Sequence, residues 1–231
     1  MTMAQEASPE ARAARPGARR ILIVDDHPLV RMGLRGLLDG ESDLQVCGEA
    51  GSQAEALASV RKLHPHLVIT DLSLGDGNGL ELIQRLRAQD DALRVLVCSM
   101  HDERLFAMRA LEAGACGYVG KEQAGRHVVQ AVRECLAGRV WLSRAMTEQT
   151  ATGNGSVEAA RAGDAMARLT PRELAVFELI GRGLKPSQIA TQIHLSVKTV
   201  ETHREKIKKK LNLQSGSDLT RSAMQWVERQ E

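Results

Sequence analysis

Five short apolar runs alternate with helix-like segments between residues 21 and 138. The runs are ILIV, LQVCGE, LVIT, RVLVCS and GYV, and after each one apolar residues recur every three or four positions. Alternating strands and helices predict a parallel sheet with right-handed crossovers and helices on both faces. We therefore expect an α/β fold with a five-stranded parallel sheet over residues 20–138.

The strand–helix alternation fades after residue 138, and a second pattern begins near residue 168. The stretch TEQTATGNGSVEAARAGDA has linker composition, which separates the two patterns. Beyond it, TPRE predicts a capped helix start, PSQIATQIH a short helix, and the segment from Ser196 to about Leu211 a third helix. Two helices joined by a tight turn, the second strongly basic, predict a small all-α helix-turn-helix domain. The expected organisation is a disordered tail (1–19), an α/β domain (20–138), a linker (139–167) and a helical domain (168–231).

Composition and charge narrow the class of function. No run approaches the ~20 apolar residues of a membrane span, and the amino terminus lacks the apolar core of a secretory signal. We therefore expect a cytoplasmic protein without a membrane partner. Residues 1–150 carry 18 Lys and Arg against 20 Asp and Glu, whereas residues 151–231 carry 13 against 9. The basic second part favours a nucleic-acid partner, and the scattered cysteines favour core packing over zinc or redox chemistry.

Polar side chains end or closely follow four of the predicted strands. Asp25 and Asp26 follow the first strand, Asp71 the third and Ser99 the fourth, while Lys121 comes shortly after the fifth. Any one of them could simply cap a strand, but parallel strands bring their carboxyl ends to one edge of the sheet. Three carboxylates at that edge suit a hard cation that prefers oxygen, so we expect Mg²⁺ there and no histidine ligand.

A carboxylate beside Mg²⁺ can attack phosphorus and form an aspartyl phosphate. The phosphoryl oxygens would then be compensated by the metal, by the Lys121 ammonium and by the Ser99 hydroxyl. The residues alone leave open whether this chemistry serves signalling or catalysis.

The chain resembles bacterial two-component response regulators of the NarL/FixJ class. The resemblance rests on VDDHPLVRMGLRGLL, ITDLSLGDGNGLELI, VLVCSMHD and ALEAGACGYVGK, and on LTPRELAVFELIGRGLKPSQIATQIHLSVKTVETHREKIKKKL. It implies a flavodoxin-like receiver domain, a LuxR-type helix-turn-helix domain and no enzymatic role. It also implies site residues, which are Asp71 as phospho-acceptor, Asp25, Asp26 and the main-chain carbonyl of Ser73 as Mg²⁺ ligands, Ser99 as switch hydroxyl, Tyr118 as switch aromatic and Lys121 as phosphoryl-pairing amine. One departure is Gly75, where Pro is common, and it should loosen the loop after Asp71.

The basic helix that begins at Ser196 has two distinct faces. An apolar stripe of Val200, Ile207 and Leu211 predicts the face packed on the core. The other face would be merely solvated on an isolated helix, but second in a helix-turn-helix it should enter the major groove. Candidate base readers are Lys198, Glu201, Thr202 and Glu205, candidate phosphate contacts are Arg204, Lys206, Lys209 and Lys210, and Ser196 and Thr199 complete the DNA-binding set at the start of the helix.

The last predicted helix, about Ser217 to Glu228, is amphipathic and needs a partner. Its apolar face holds Leu219, Ala223, Trp226 and Val227, and the resemblance implies that the partner is the same helix of a second chain. We expect an active homodimer on half-sites about one helical turn apart.

The leading interpretation is a transcription regulator phosphorylated by a sensor histidine kinase, with promoter DNA and RNA polymerase as further partners. A Mg²⁺-dependent phosphohydrolase is an alternative, but it leaves the basic helices unexplained. A regulator that no longer depends on phosphate is a second alternative, although every acid of the site and its lysine are present.

Overall fold

The computed structural model describes residues 15–75, 77–151, 165–193 and 195–228. It divides into two compact units with the boundary between Arg144 and Ala145. Most of the predicted tail and residues 152–164 of the predicted linker lie outside the described residues. Within the predicted tail, Arg15 Nη1 donates hydrogen bonds to the carbonyls of Asp39 and Glu41, at 3.2 and 3.1 Å.

The first unit is the α/β domain that the sequence predicts. The elements in chain order are β1 (Arg19–Val24), α1 (Pro28–Asp39), β2 (Leu44–Ala50), α2 (Gln53–Leu63), β3 (Leu67–Thr70), α3 (Gly79–Gln89), β4 (Arg94–Ser99), α4 (Glu103–Glu112), β5 (Gly117–Gly120) and α5 (Lys121–Leu136). The five strands, all paired in parallel, lie in the order β2-β1-β3-β4-β5. A hairpin of Ser73–Leu74 with Gly77–Asn78 precedes α3. The expected flavodoxin-like fold class is confirmed.

The sheet is buried on both faces, which explains why its strands read as continuous apolar runs. Residues 21–24 and 67–70 are at most 1% exposed, and the core around them is aliphatic. Strand order reverses beside β1, since β2 lies on one side of it and β3 on the other. In open parallel sheets the ligand site lies at such a reversal, outside the carboxyl ends of the strands. The fold therefore places its site where Asp25 and Asp71 end β1 and β3.

The first unit continues past residue 138, where the sequence places its end. Trp141 donates its backbone N–H to the Cys116 carbonyl (3.1 Å) and accepts from the Tyr118 N–H (2.9 Å). Helix α6 (Arg144–Ala151) then occupies part of the predicted linker. Its sequence RAMTEQTA lacks Gly and Pro and is rich in residues that favour helix, which outweighs the linker-like composition of the residues that follow.

The second unit is helical, as expected. After a 3₁₀ turn (Ala165–Arg168) come α7 (Pro171–Gly181), α8 (Pro186–Gln192), α9 (Val197–Leu211) and α10 (Gly216–Glu228). Thr170 and Glu173 form the predicted capping box at the start of α7. Ser196 caps α9 by accepting the Thr199 N–H at 3.0 Å, and Asn212 ends it in the left-handed conformation. Helices α8 and α9 form the helix-turn-helix pair.

Among the described residues, no helix combines the length and apolar character that a bilayer span requires. All four cysteines are free thiols, and Cys98 and Cys135 are buried, in keeping with the core packing that we expect. Burial raises the pKa of the Cys98 thiol to about 12.

Candidate functional sites

Three polar side chains that end separate strands meet at the carboxyl edge of the sheet. Asp25, Asp71 and Ser99 are 1%, 4% and 1% exposed, so all three are buried. Gly79 allows this arrangement, because a Cβ at that position would lie 2.5 Å from the Asp71 carbonyl oxygen. The predicted convergence of these side chains is present in the structure.

Lys121, the first residue of α5, holds two of the carboxylates together. Its Nζ lies 2.6 Å from Asp25 Oδ2 and 2.8 Å from Asp71 Oδ2. Burial lowers the Lys121 pKa, but the charges of Asp71 and Asp25 outweigh it, so the pKa is raised overall. One ammonium therefore compensates two buried carboxylates.

Both carboxylate oxygens of Asp71 are engaged. Ser99 Oγ donates a hydrogen bond to Asp71 Oδ1 at 2.7 Å, while Lys121 Nζ binds Asp71 Oδ2. Asp71 is thus the acid contacted by both the hydroxyl and the amine of the site. These are the groups that could follow its oxygens if a phosphoryl group were added.

Asp26 is the third acid at this edge of the sheet, and together with Asp25 and Asp71 it suits a metal ion. Ligand atoms of Asp25, Asp26, His27 and Asp71 lie within 4.8 Å of one another. Asp26 Oδ1 is buried and accepts no hydrogen bond, although His27 Nδ1 lies 2.7 Å away. Three carboxylates whose ligand atoms lie this close together fit a hard cation such as Mg²⁺. We did not expect His27 at this site, but its ring contacts both Asp25 and Asp26.

Tyr118 is buried in this structure, at 1% exposure. Its hydroxyl donates to the backbone carbonyl of His101 at 2.8 Å, and burial raises its pKa well above the usual value. The ring is therefore buried, with its hydroxyl bonded to the loop that follows Ser99.

Sequence reasoning missed His101, which links the two loops beside the acids. Its Nε2 lies 2.6 Å from Ser73 Oγ, and its ring stacks near Phe106 with centroids 4.9 Å apart. Because its carbonyl also accepts from Tyr118, this one residue connects the hairpin after Asp71 to the buried aromatic. The only sequence signal was its position two residues after Ser99.

The face of α9 that is predicted to enter the major groove, which we call the recognition face, is exposed largely as expected. Lys198, Glu201, Thr202, Glu205, Lys206 and Lys209 are all exposed, while Val200 and Ile207 are buried. Among the predicted DNA contacts, Ser196 and Thr199 serve the helix cap, with their hydroxyl oxygens 2.7 Å apart. Arg204 pairs with Glu201 at 3.3 Å.

Lys210 has a structural partner. Its Nζ lies 2.6 Å from Oε2 of Glu173, whose side chain is 3% exposed. That carboxylate also accepts the Thr170 N–H at 2.8 Å. The ammonium that we predicted to contact DNA phosphate therefore ties α9 to the start of α7.

The predicted dimerisation face of α10 is turned into its own unit, which corrects that prediction. Leu219 and Ala223 are fully buried within the single chain. Trp226 packs against Phe177, with ring centroids 5.9 Å apart, and a Cβ at Gly181 would meet Val227 Cγ2 at 2.6 Å. The helix does need a partner for its apolar stripe, as the pattern predicts, but that partner is α7 of the same chain. The outward side of α10 carries the exposed Ser217, Arg221 and Met224, with the half-buried Thr220 beside them.

Two family models match the two units separately. Residues 21–133 match the response regulator receiver domain, and residues 167–223 match the bacterial regulatory proteins of the luxR family. The two matches cover the acid site and the helix-turn-helix pair.

Relatives and solved structures match nearly the whole chain. It is 40% identical to the transcriptional activator protein ExaE of Pseudomonas putida, over 89% of this chain and 95% of that protein. It is 37% identical to the transcriptional activator DevR/DosR of Mycobacterium tuberculosis, over 84% and 89%. RcsB of Salmonella enterica serovar Typhimurium, solved on promoter rprA with the phosphomimetic BeF3-, superposes with a TM-score of 0.57 at 26% identity, covering 88% of this chain and 97% of that one.

Proposed function

Because this chain belongs to the two-component response regulators that join a receiver domain to a LuxR-type helix-turn-helix domain, we propose that phosphorylation of Asp71 controls its dimerisation and promoter binding. The chain is a DNA-binding response regulator, and its named relatives are transcriptional regulators. The proposed phosphodonor is the phosphohistidine of a sensor kinase. Promoter DNA and RNA polymerase are the further partners, and the cytoplasm is the proposed compartment.

The observation that carries the proposal is the double engagement of Asp71. Its carboxylate is buried, and its two oxygens are held by Ser99 and Lys121. In the proposed transfer an Asp71 oxygen forms a bond to phosphorus, and the P–N bond to histidine breaks with its electron pair going to the imidazole. The Lys121 ammonium and the Ser99 hydroxyl then bind phosphoryl oxygens in place of the carboxylate.

Asp25, Asp26 and Asp71 are the side chains that would hold Mg²⁺, together with the Ser73 carbonyl. When bound, the ion would offset the negative charge that accumulates on the phosphoryl group and the carboxylates. Lys121 could release Asp25 when Mg²⁺ binds, because the ion would then compensate the Asp25 carboxylate.

Phosphorylation is tested with Asp71→Asn and a matched control. Wild type treated with a small phosphodonor and Mg²⁺ should gain one phosphoryl group by intact mass and should bind selected DNA more tightly in fluorescence anisotropy. Asp71→Asn should show neither effect. Asp91→Asn, which removes an exposed carboxylate from the same unit, should behave as wild type. Equal donor-dependent tightening in Asp71→Asn would contradict the proposal, and turnover of free phosphate esters would favour a phosphohydrolase.

The exposed side of α10 is the proposed dimer surface, in place of the residues that pack within the chain. Met224 is 46% exposed and lies beside Thr220, Arg221 and Ser217. Met224→Glu should prevent the phosphorylated protein from forming a dimer on two half-sites in analytical ultracentrifugation. Gln214→Glu adds the same charge at an exposed position outside the helix and should leave the dimer intact. A dimer that persists in Met224→Glu would exclude this surface.

A further inference from the structure

The centre of the recognition face offers DNA only hydrogen-bond acceptors. Glu201 and Glu205 present carboxylates, and their side chains are 50% and 60% exposed. Thr202 lies between them, and its hydroxyl donates to the Lys198 carbonyl at 3.0 Å, which leaves only its oxygen and methyl group for a base. A face of this kind requires base edges that donate.

Each carboxylate is backed by a cation three residues further along the helix. Glu201 Oε2 lies 3.3 Å from Arg204 Nε, and Glu205 Oε1 lies 2.8 Å from Lys208 Nζ. Arg204 and Lys208 are 19% and 22% exposed, so they sit behind the carboxylates. The pairing offsets the repulsion that a bare carboxylate would meet between DNA phosphates. Both carboxylates stay at least half exposed beside these cations, so a base can reach them.

We infer that Glu201 and Glu205 select two cytosines in each half-site, an inference that rests on the proposed DNA-binding function. In the major groove cytosine presents the N4 amino group as its donor. Adenine also presents an amino group, but its N7 acceptor lies beside it and repels a carboxylate. The acceptor-only face therefore favours cytosine over adenine and disfavours the acceptor edge of guanine.

The spacing of the two carboxylates predicts the spacing of the two bases. Residues four apart on a helix are separated by about 6 Å along its axis, and the base-pair rise is about 3.4 Å. The two selected cytosines should therefore fall within about two base pairs of each other. Arg204 and Lys208 are positioning residues in this arrangement, because they act through the carboxylates.

The test is random-site selection with full-length phosphorylated protein, for wild type, Glu201→Gln, Glu205→Gln and Glu178→Gln. Glutamine can accept from adenine N6 and donate to N7, so each recognition-helix variant should change its own position from cytosine to adenine by about fivefold or more. The other position should keep cytosine. Glu178→Gln removes a carboxylate that pairs with Arg182 on α7, and it should keep the wild-type preference at both positions.

Base preferences that are unchanged in both variants, or a uniform change of affinity without a change of sequence preference, would overturn the inference. Salt-sensitive binding by wild type without any cytosine preference would overturn it as well, while leaving the proposed function in place. Failure of wild type to bind any DNA would overturn the proposed function together with the inference.

Discussion

Lys121 shows how one residue decides the character of the acid site. Asp25 and Asp71 are both buried, and each would be costly in the ionised form without a cation. The ammonium lies within 2.8 Å of both carboxylates and is itself 9% exposed. The same side chain that we propose for the phosphoryl group therefore stabilises the unphosphorylated receiver.

Replacing Lys121 should destabilise the metal-free protein and make it respond to Mg²⁺. Lys121→Met leaves two buried carboxylates without their cation, which costs about 3 kcal/mol of unfolding free energy. Because Mg²⁺ can replace the ammonium, it should restore stability in the variant more than it stabilises wild type. Urea unfolding with and without Mg²⁺ measures both effects. Lys62→Met, on the exposed side of α2, should change stability by at most about 0.5 kcal/mol.

Gly75, in the turn of the hairpin, and Gly79, the first residue of α3, should respond oppositely to alanine. A Cβ at Gly75 would meet only Asp26 Oδ2, at 3.6 Å, whereas one at Gly79 would lie 2.5 Å from the Asp71 carbonyl oxygen. Gly75→Ala should raise the unfolding free energy by about 0.5 kcal/mol, because it restricts the unfolded chain. Gly79→Ala should lower it and displace Asp71. Equal unfolding midpoints for the two variants would contradict this reading of the loop.

At the scale of elements, the contact between α7 and α9 distinguishes a lysine with a structural role from a neighbouring lysine that is predicted to contact DNA. Lys210 pairs with the buried Glu173, whereas the adjacent Lys209 is exposed. Lys210→Met should lower the unfolding free energy by about 1–2 kcal/mol, since it leaves a buried carboxylate with only the Thr170 N–H and its cap contacts.

Lys209→Met is the matched variant, and the salt dependence of DNA binding distinguishes the two. It should leave stability unchanged and reduce the magnitude of the slope of log K against log salt by about 1 per chain, as expected for loss of one phosphate contact. Lys210→Met should leave that slope unchanged if the protein is studied below its unfolding transition. The reverse result would restore Lys210 to the DNA interface.

The same contact predicts how acid affects α7 and α9. Burial raises the pKa of Glu173, but its hydrogen bonds to Lys210 and to the Thr170 N–H outweigh that effect and lower the pKa below 4.5. A carboxyl whose folded pKa is depressed stabilises the fold above pH 4.5, and this stabilisation is lost as the pH falls through the lowered value. The unfolding temperature of wild type should therefore fall as the pH is lowered below 4.5. The unfolding temperature of Glu173→Gln should fall less over the same pH range.

At the scale of the whole molecule, the two parts of the chain that are proposed for phosphorylation and for DNA binding differ in net charge. The first 150 residues carry a slight excess of acids and the remainder an excess of bases, so salt should affect DNA binding much more than phosphorylation. Within the described residues of α9, Lys198, Lys206 and Lys209 form no ion pair. If each of these three lysines contacts one phosphate, the salt slope should be about −3 per chain and about twice that for a dimer.

Anisotropy titrations over a series of salt concentrations check this slope with and without phosphodonor. A slope that doubles on phosphorylation would support binding as a dimer, and a slope that stays constant would indicate that phosphorylation does not change the number of bound chains. The phosphorylation yield, measured by mass over the same series, serves as the control.

The sequence by itself determined the order of elements, the fold class and the convergence of the acid site. Strands buried on both faces must be continuously apolar, so the strands could be recognised as apolar runs in the sequence. Parallel connections bring the carboxyl ends of these strands to one edge of the sheet. Asp25, Asp71, Ser99 and Lys121 could therefore be grouped before any contact was known. The exposed face of α9 could be predicted for a similar reason, because its apolar residues recur with the helical period and leave the charged residues on the other face.

Only the tertiary structure decided which partner each side chain meets. The apolar stripe of α10 was evident, but its period is the same whether it packs on α7 or on a second chain. Lys210 and Lys209 are adjacent lysines, and only the fold brings one of them to Glu173. His101 carries no pattern at all, since its role arises from contacts with Ser73 and Tyr118 that are distant in sequence. Periodicity and strand ends are local properties of a chain. The partner of each side chain depends instead on packing between elements that are distant in sequence.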